Sequence, residues 1–308
     1  MTQPPRRLVF AFSQRPSKPC IFTHKEPSLH ELDDLDLLAR ADRLRLHERA
    51  GDFTLVRRGL IDAQAHLDQP VAALLVAADL EALALAVSRL YSTGWSVNPA
   101  DETRSALALR VRFDDHPAYV FAYLCALAAH SAHTPLDTLA DSLALNEAWL
   151  HSLLPATPHL QNPAKQLALR LFSHTPLLWA ESPWLVNIAQ DWRLRILRYA
   201  ESAALVADLS DMLQGWSMAR FPTFWPNTIC IARLASAAPA YDARIFALQS
   251  ILRKRRFDSI EIAPPAGSAP AMALHLLYWG EWVALYLAAL YGVDPADRVP
   301  LQLLGMAE

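Results

Sequence analysis

Glycine is scarce here, with only 8 residues in a chain of 308. Enzymes that hold phosphates on backbone amides need glycine where the chain passes close to the ligand, so this chain offers few such cradles. Cysteine is scarcer still. Cys20, Cys125 and Cys230 are the only three, each 105 residues from the next. That spacing is neither a disulfide framework nor a zinc site, and it suits a reducing, cytoplasmic setting. No broad basic face is present. Net charge is -3, and the largest run of cations is Arg253, Lys254, Arg255 and Arg256. Nucleic-acid binding needs more than that to displace counterions, so the run reads as a solvated helix end and no nucleic-acid partner is expected. The chain has no Walker loop, no Rossmann glycine fingerprint, no His-Glu-x-x-His and no Gly-x-Ser-x-Gly. No cofactor is implied. Asp114, Asp115 and His116 are adjacent, and three neighbours in one loop cannot all face one ion, so no metal site is expected.

Apolar residues are abundant, at 53%, against 19% charged. A chain of that make-up buries a large core. Two apolar stretches raise the question of a membrane. Residues 71–90 are interrupted by Asp79, Glu81 and Arg89. Residues 272–293 carry Glu281 near the centre, where an acid costs ~2.5–3.5 kcal/mol to insert. Its aromatics lie inside the run and not at its ends, so it reads as a buried helix, and no membrane partner is expected. No export signal follows Arg6 and Arg7.

Residues 1–27 read as an extended segment broken by Pro16 and Pro19. Beyond them the pattern alternates. Short apolar runs at 71–77 and 107–113 read as strands, with helices at 81–91 and 119–132. Pro155 and Pro158 break the rhythm, which places a domain boundary between 28–155 and 156–308. In the second part, Asn162 and Pro163 open a helix through 172, with strands at 176–180, 228–234 and 257–262. Helices are expected at 184–204, 241–254 and 269–291, the last stopped by Gly292. Asp294 and Pro295 open another helix. The expectation is an α/β protein with two doubly wound parallel-sheet domains and flanking helices.

One stretch is more specific: Leu276, Leu277, Tyr278, Trp279, Gly280, Glu281, Trp282 and Val283, running on through Tyr286, Leu287 and Ala288 to Gly292, Val293, Asp294 and Pro295. It resembles the final helix and turn of the bifunctional phosphoglucose/phosphomannose isomerases, whose two domains have the sugar isomerase (SIS) fold. Asn162, Pro163, Ala164 and Lys165, then Leu167, Ala168 and Pro176 to Trp179, resemble the entry to that family's second SIS domain. Gly215 and Trp216 match the pair after its central helix. Together these cover residues 160–300, and the first half is placed by length and rhythm alone.

The resemblance implies aldose–ketose isomerisation of a sugar phosphate, but the residues depart from it. The family's proton-shuttling Glu falls on Arg198, counted from Trp192 and Arg193, and Glu201 enters only with a three-residue shift. Ser210 stands near the place of the ring-opening His, and a hydroxyl cannot do the work of an imidazole titrating near neutrality. Ala296 replaces the family's Thr, and no lysine follows Lys254. The phosphate loops fall on Ala77, Ala78, Asp79, Leu80 and Glu81, and near Phe113, Asp114, Asp115, His116 and Pro117. Carboxylates there repel a phosphate by ~4 kcal/mol at 4 Å and an effective dielectric of 20. The leading expectation is therefore an SIS-fold homodimer that binds a sugar-phosphate or carbohydrate-derivative ligand, or a partner, with isomerase chemistry lost. Its alternatives are an active isomerase with its base moved to Glu201, and a structural or regulatory interaction protein. Glu201 and His275 are the candidate catalytic residues. Ser182, Arg193, Arg198 and Ser210 are the candidate ligand contacts. Glu281 is expected to be a buried latch to a neighbouring backbone or arginine.

Overall fold

The computed structural model describes residues 54–66, 136–220, 226, 228–236 and 242–295, with helical residues Ala118, Phe121, Ala122, Cys125 and Ala126. The segment 1–27, the strands expected at 71–77 and 107–113, the helix at 81–91 and any helix after Pro295 lie outside them.

Twelve elements occur in the described residues. They are α1 (Leu55–His66), α2 (Leu136–Ser142), α3 (Glu147–Ser152), α4 (Pro163–Leu171), β1 (Thr175–Ala180), α5 (Pro183–Ala200) and β2 (Leu205–Asp208). A π-helical turn (Asp211–Trp216), β3 (Ile229–Leu234), α6 (Ala243–Lys254), β4 (Asp258–Ile262) and α7 (Ala269–Tyr291) follow. The helix starts use the signals read in the sequence. Asn162 Oδ1 accepts from the backbone of Ala164 (2.9 Å) and Lys165 (3.0 Å), with Pro163 next in line. Asp242 caps α6 through Arg244 N at 2.8 Å.

The four strands are parallel, in the order β2–β1–β3–β4. Every residue of β3 is buried, as is all of β1 except Thr175. That is why both read as unbroken apolar runs. Alternate residues serve two cores. Leu178, Ala180, Cys230, Ala232, Leu234 and Ile262 face a core shared with α4, α5 and α7. Leu177, Trp179, Ala207, Ile229 and Ile231 face α6 and the π turn, through Ile245, Leu248, Leu252 and Met212. The result is a doubly wound three-layer α/β unit.

Helix α7 is the pivot of the larger core. All of residues 270–288 except Met272 are buried. By length and composition it could cross a membrane, but here it is enclosed by protein. Its backbone meets α5 closely: Trp192 Nε1 donates to Leu276 O at 2.9 Å, and a Cβ on Gly280 would lie 2.3 Å from that same nitrogen. Glycine at 280 is a packing requirement. The apolar residues on more than one face of α7 close this core.

The core is also continuous across residues 155 and 156. Leu139, Leu143, Leu150 and Leu153 belong to it, together with α4, α5 and α7. Tyr286 OH donates to Leu153 O (2.7 Å) and Lys165 Nζ to Pro155 O (2.8 Å).

Two features differ from expectation. The helix expected over 184–204 stops at Ala200, because Glu201 adopts a left-handed conformation (φ 49°). The four residues beyond it, 201–204, are irregular and lead into β2, an edge strand in which only Ala207 is buried. Its apolar signal is too short and too exposed to stand out from the helix before it.

Candidate functional site

The chain leaves β1 for β2 through α5 on one face of the sheet, and β3 for β4 through α6 on the other. The connections therefore diverge between β1 and β3. In open α/β sheets, ligands bind outside the carboxyl ends of the strands at such a switch point. Three charged side chains meet there. Arg233, on β3, lies beside Trp179 of β1 and Glu261 of β4 in the strand register. Its Nε and Nη2 donate to the two oxygens of Glu181 (3.2 and 3.3 Å), and its Nη1 to Glu261 Oε2 (3.0 Å). The guanidinium sits 5.6 Å from the centre of the Trp179 ring. Arg233 is 6% exposed, so its charge is held in a largely dry setting. Next along the chain, Ser182 precedes the first turn of α5, and its buried Oγ has no hydrogen-bond partner among the described residues. Asp208 ends β2 beside Ala180, and its carboxylate accepts from Asp211 N at 2.7 Å. One cation thus faces two carboxylates, with more acid on the next strand. Such an edge accepts hydrogen bonds from hydroxyls and repels dianions.

The family model for the bacterial phospho-glucose isomerase C-terminal SIS domain matches residues 160–304. Residues 160–304 are an SIS domain related to the phosphoglucose isomerase family. The Aquifex aeolicus bifunctional phosphoglucose/phosphomannose isomerase is 24% identical over 140 residues, 44% of this chain and 43% of that protein. The match thus spans less than half the relative's length. Among solved structures, a glucose-6-phosphate isomerase-like protein from Thermus thermophilus is 25% identical, with a TM-score of 0.47, over 61% of this chain and 63% of that one. A hypothetical protein from the same organism is 14% identical, with a TM-score of 0.46, over 61% and 53%.

The residues singled out from the sequence are scattered over the SIS domain. Ser182 is at the switch point. Ser210 is exposed, just before the π turn. Arg193 is half-buried on α5, donating to Gln190 Oε1 at 2.9 Å. Arg198 lies 5.7 Å from the Tyr199 ring centre, near the far end of the same helix. Glu201 is exposed just past that end, and among the described residues it forms no ion pair. With 18 residues of helix between them, Ser182 and Glu201 stand ~27 Å apart. They cannot serve one small ligand. His275 is buried on α7, its Nε2 accepting from Asn146 N (2.9 Å) and its Nδ1 donating to Ala271 O (2.7 Å). Both ring nitrogens are committed to backbone and fix the neutral tautomer, and burial holds its pKa below the ordinary value. The sequence reading missed Glu181, Arg233 and Glu261. Arg233 carried a signal all the same, as a lone arginine inside the apolar run of β3.

A second charged group is closed to solvent. Arg195 Nε donates to Asp191 Oδ2 at 2.8 Å, and its Nη1 to Glu281 Oε2. Glu281 Oε1 accepts from Tyr199 OH at 3.0 Å. This is the latch expected of Glu281, joining α7 to α5. Burial pushes the Glu281 carboxyl above its ordinary pKa, with Asp191 adding to the effect and Arg195 and Tyr199 opposing it.

Proposed function

We propose that the SIS domain binds a carbohydrate derivative at the switch point and has lost aldose–ketose isomerase chemistry. The observation that carries this reading is the end of α5. The place that the resemblance gives to the proton-shuttling carboxylate holds Arg198, packed against Tyr199, and the nearest acid beyond it, Glu201, is exposed. The switch point, by contrast, has polar groups with capacity left. Glu181 and Glu261 can accept further hydrogen bonds, and Ser182 Oγ has none. The proposal includes a second SIS-like domain over residues 28–155 and a cytoplasmic location.

Two measurements test it. A coupled assay should give no interconversion of glucose 6-phosphate or mannose 6-phosphate with fructose 6-phosphate. A thermal-shift screen of sugars should raise the melting temperature, since ligand at 100 times its Kd adds ~2.7 kcal/mol of stability. Turnover above background that Glu201→Gln abolishes would establish the relocated-base alternative instead.

One observation favours a second reading, in which the partner is another copy of the chain. Leu194 and Leu197 on α5 and Leu205 on the edge strand β2 are 45%, 51% and 41% exposed. Light scattering decides it: a mass of 34.3 kDa at micromolar concentration counts against a dimer.

A further inference from the structure

We infer that Glu181 is an internal anion that occupies Arg233 and excludes phosphorylated ligands from the switch point. The inference deepens the carbohydrate-binding reading above, and depends on it for the kind of ligand but not for the exclusion itself.

A guanidinium recognises an anion with its N–H edges. Three of the five N–H groups of Arg233 are taken, among them both of the Nε–Nη2 edge. Glu181 spans Nε and Nη2, Glu261 holds Nη1, and one face of the plane lies over Trp179. The Arg233 side chain is 8% exposed, that of Glu181 20% and that of Glu261 47%. Glu181 therefore has the position of a lid, less buried than the arginine it holds. Arg244, at the start of α6, is tied to Asp242 at 2.7 Å and offers no substitute. A phosphate that takes the two-pronged Nε–Nη2 edge must expel Glu181, and at any other edge it sits beside both carboxylates. A hydroxyl needs neither step. It can donate to a Glu181 or Glu261 lone pair that the guanidinium leaves unused. The charge arrangement thus selects an unphosphorylated sugar over its phosphate.

The test is titration calorimetry on the full chain with inorganic phosphate, glucose 6-phosphate and glucose. The wild type should bind phosphate only weakly. Glu181→Gln keeps the shape and removes the charge, and should bind phosphate at least ~10-fold more tightly than the wild type, a discounted share of the Coulomb term for one charge. Glu261→Gln should gain less, because Glu181 still holds the Nε–Nη2 edge of the arginine. Should Glu181→Gln fail to fold, Glu181→Asp is the second variant. It is one methylene short of the arginine and should move in the same direction. Phosphate affinity unchanged by Glu181→Gln, or a wild type that prefers glucose 6-phosphate to glucose, overturns the inference. No response to glucose in any variant, alongside a phosphate gain in Glu181→Gln, removes the carbohydrate reading and leaves the exclusion standing.

Discussion

Glu281 shows what one buried acid does in this core. It touches Arg195 and Tyr199, and with Asp191 it makes two carboxylates on one guanidinium. Removing Glu281 takes away the buried acceptor of both Arg195 Nη1 and Tyr199 OH, while Asp191 still holds Arg195 Nε, so Glu281→Ala should cost ~2–5 kcal/mol at neutral pH by urea denaturation. A loss below ~0.5 kcal/mol, the size of a surface substitution, would contradict the burial. The pH dependence has a definite sign. Burial raises the folded-state pKa of Glu281 above the ordinary 4.5, so the folded chain favours the protonated acid. The stabilisation is fully present below 4.5 and is lost as pH rises through the raised folded value. Glu281→Gln mimics the protonated acid and should lack this component. The wild type should therefore lose stability relative to Glu281→Gln as pH is raised from 4.5. Parallel curves for the two proteins would show that Glu281 does not titrate in this way.

At the scale of elements, the shortage of glycine has a structural counterpart. α7 ends on Gly292, with φ at 67°. Among the described residues, three other left-handed positions carry side chains: Ser173 after α4, Glu201 after α5 and Arg256 after α6, with φ of 62°, 49° and 63°. Left-handed geometry costs a non-glycine residue ~1–2 kcal/mol. Glu201→Gly should relieve that strain and stabilise the chain by ~0.5–1 kcal/mol, the usual scale of such backbone substitutions, with sugar binding unchanged. A marked loss of stability would mean that the Glu201 side chain does something its exposure does not reveal. These helix ends also explain what could be read from the sequence. α7, α4 and β1 were legible because Asn162, Pro163 and Gly292 mark ends and the apolar runs are long. The end of α5 was not, since Glu201 is an ordinary helix former and nothing in its side chain announces φ at 49°. The switch-point charges were hidden for a different reason. Glu181, Arg233 and Glu261 come from three strands' ends, far apart in sequence, and only the strand order brings them together.

For the molecule as a whole, the question is where the SIS unit ends. Its matched residues start at 160, yet several of its buried polar groups find partners earlier in the chain. Lys165 reaches Pro155 O, Tyr286 reaches Leu153 O, Asn162 Nδ2 reaches Leu154 O (3.0 Å), and His275 accepts from Asn146 N. Trp149 packs edge-on against both His275 and Trp279, with ring centres 5.3 and 5.2 Å apart. A fragment of residues 156–308 removes all of these at once. Each buried group deprived of its partner costs ~1–3 kcal/mol, and four such losses approach the ~5–15 kcal/mol that holds a domain together. The apolar cover from Leu139, Leu143, Leu150 and Leu153 goes as well. The fragment should therefore show no cooperative urea transition, while the full chain unfolds with the core of α2 to α7 as one step. Extending the fragment back to residue 136 restores α2 and α3 and should recover most of the cooperativity. A 156–308 fragment with a sharp transition at the midpoint of the full chain would place the boundary at 155/156 after all, and reduce the contacts of Asn146, Leu153 and Pro155 to decoration on a self-sufficient domain.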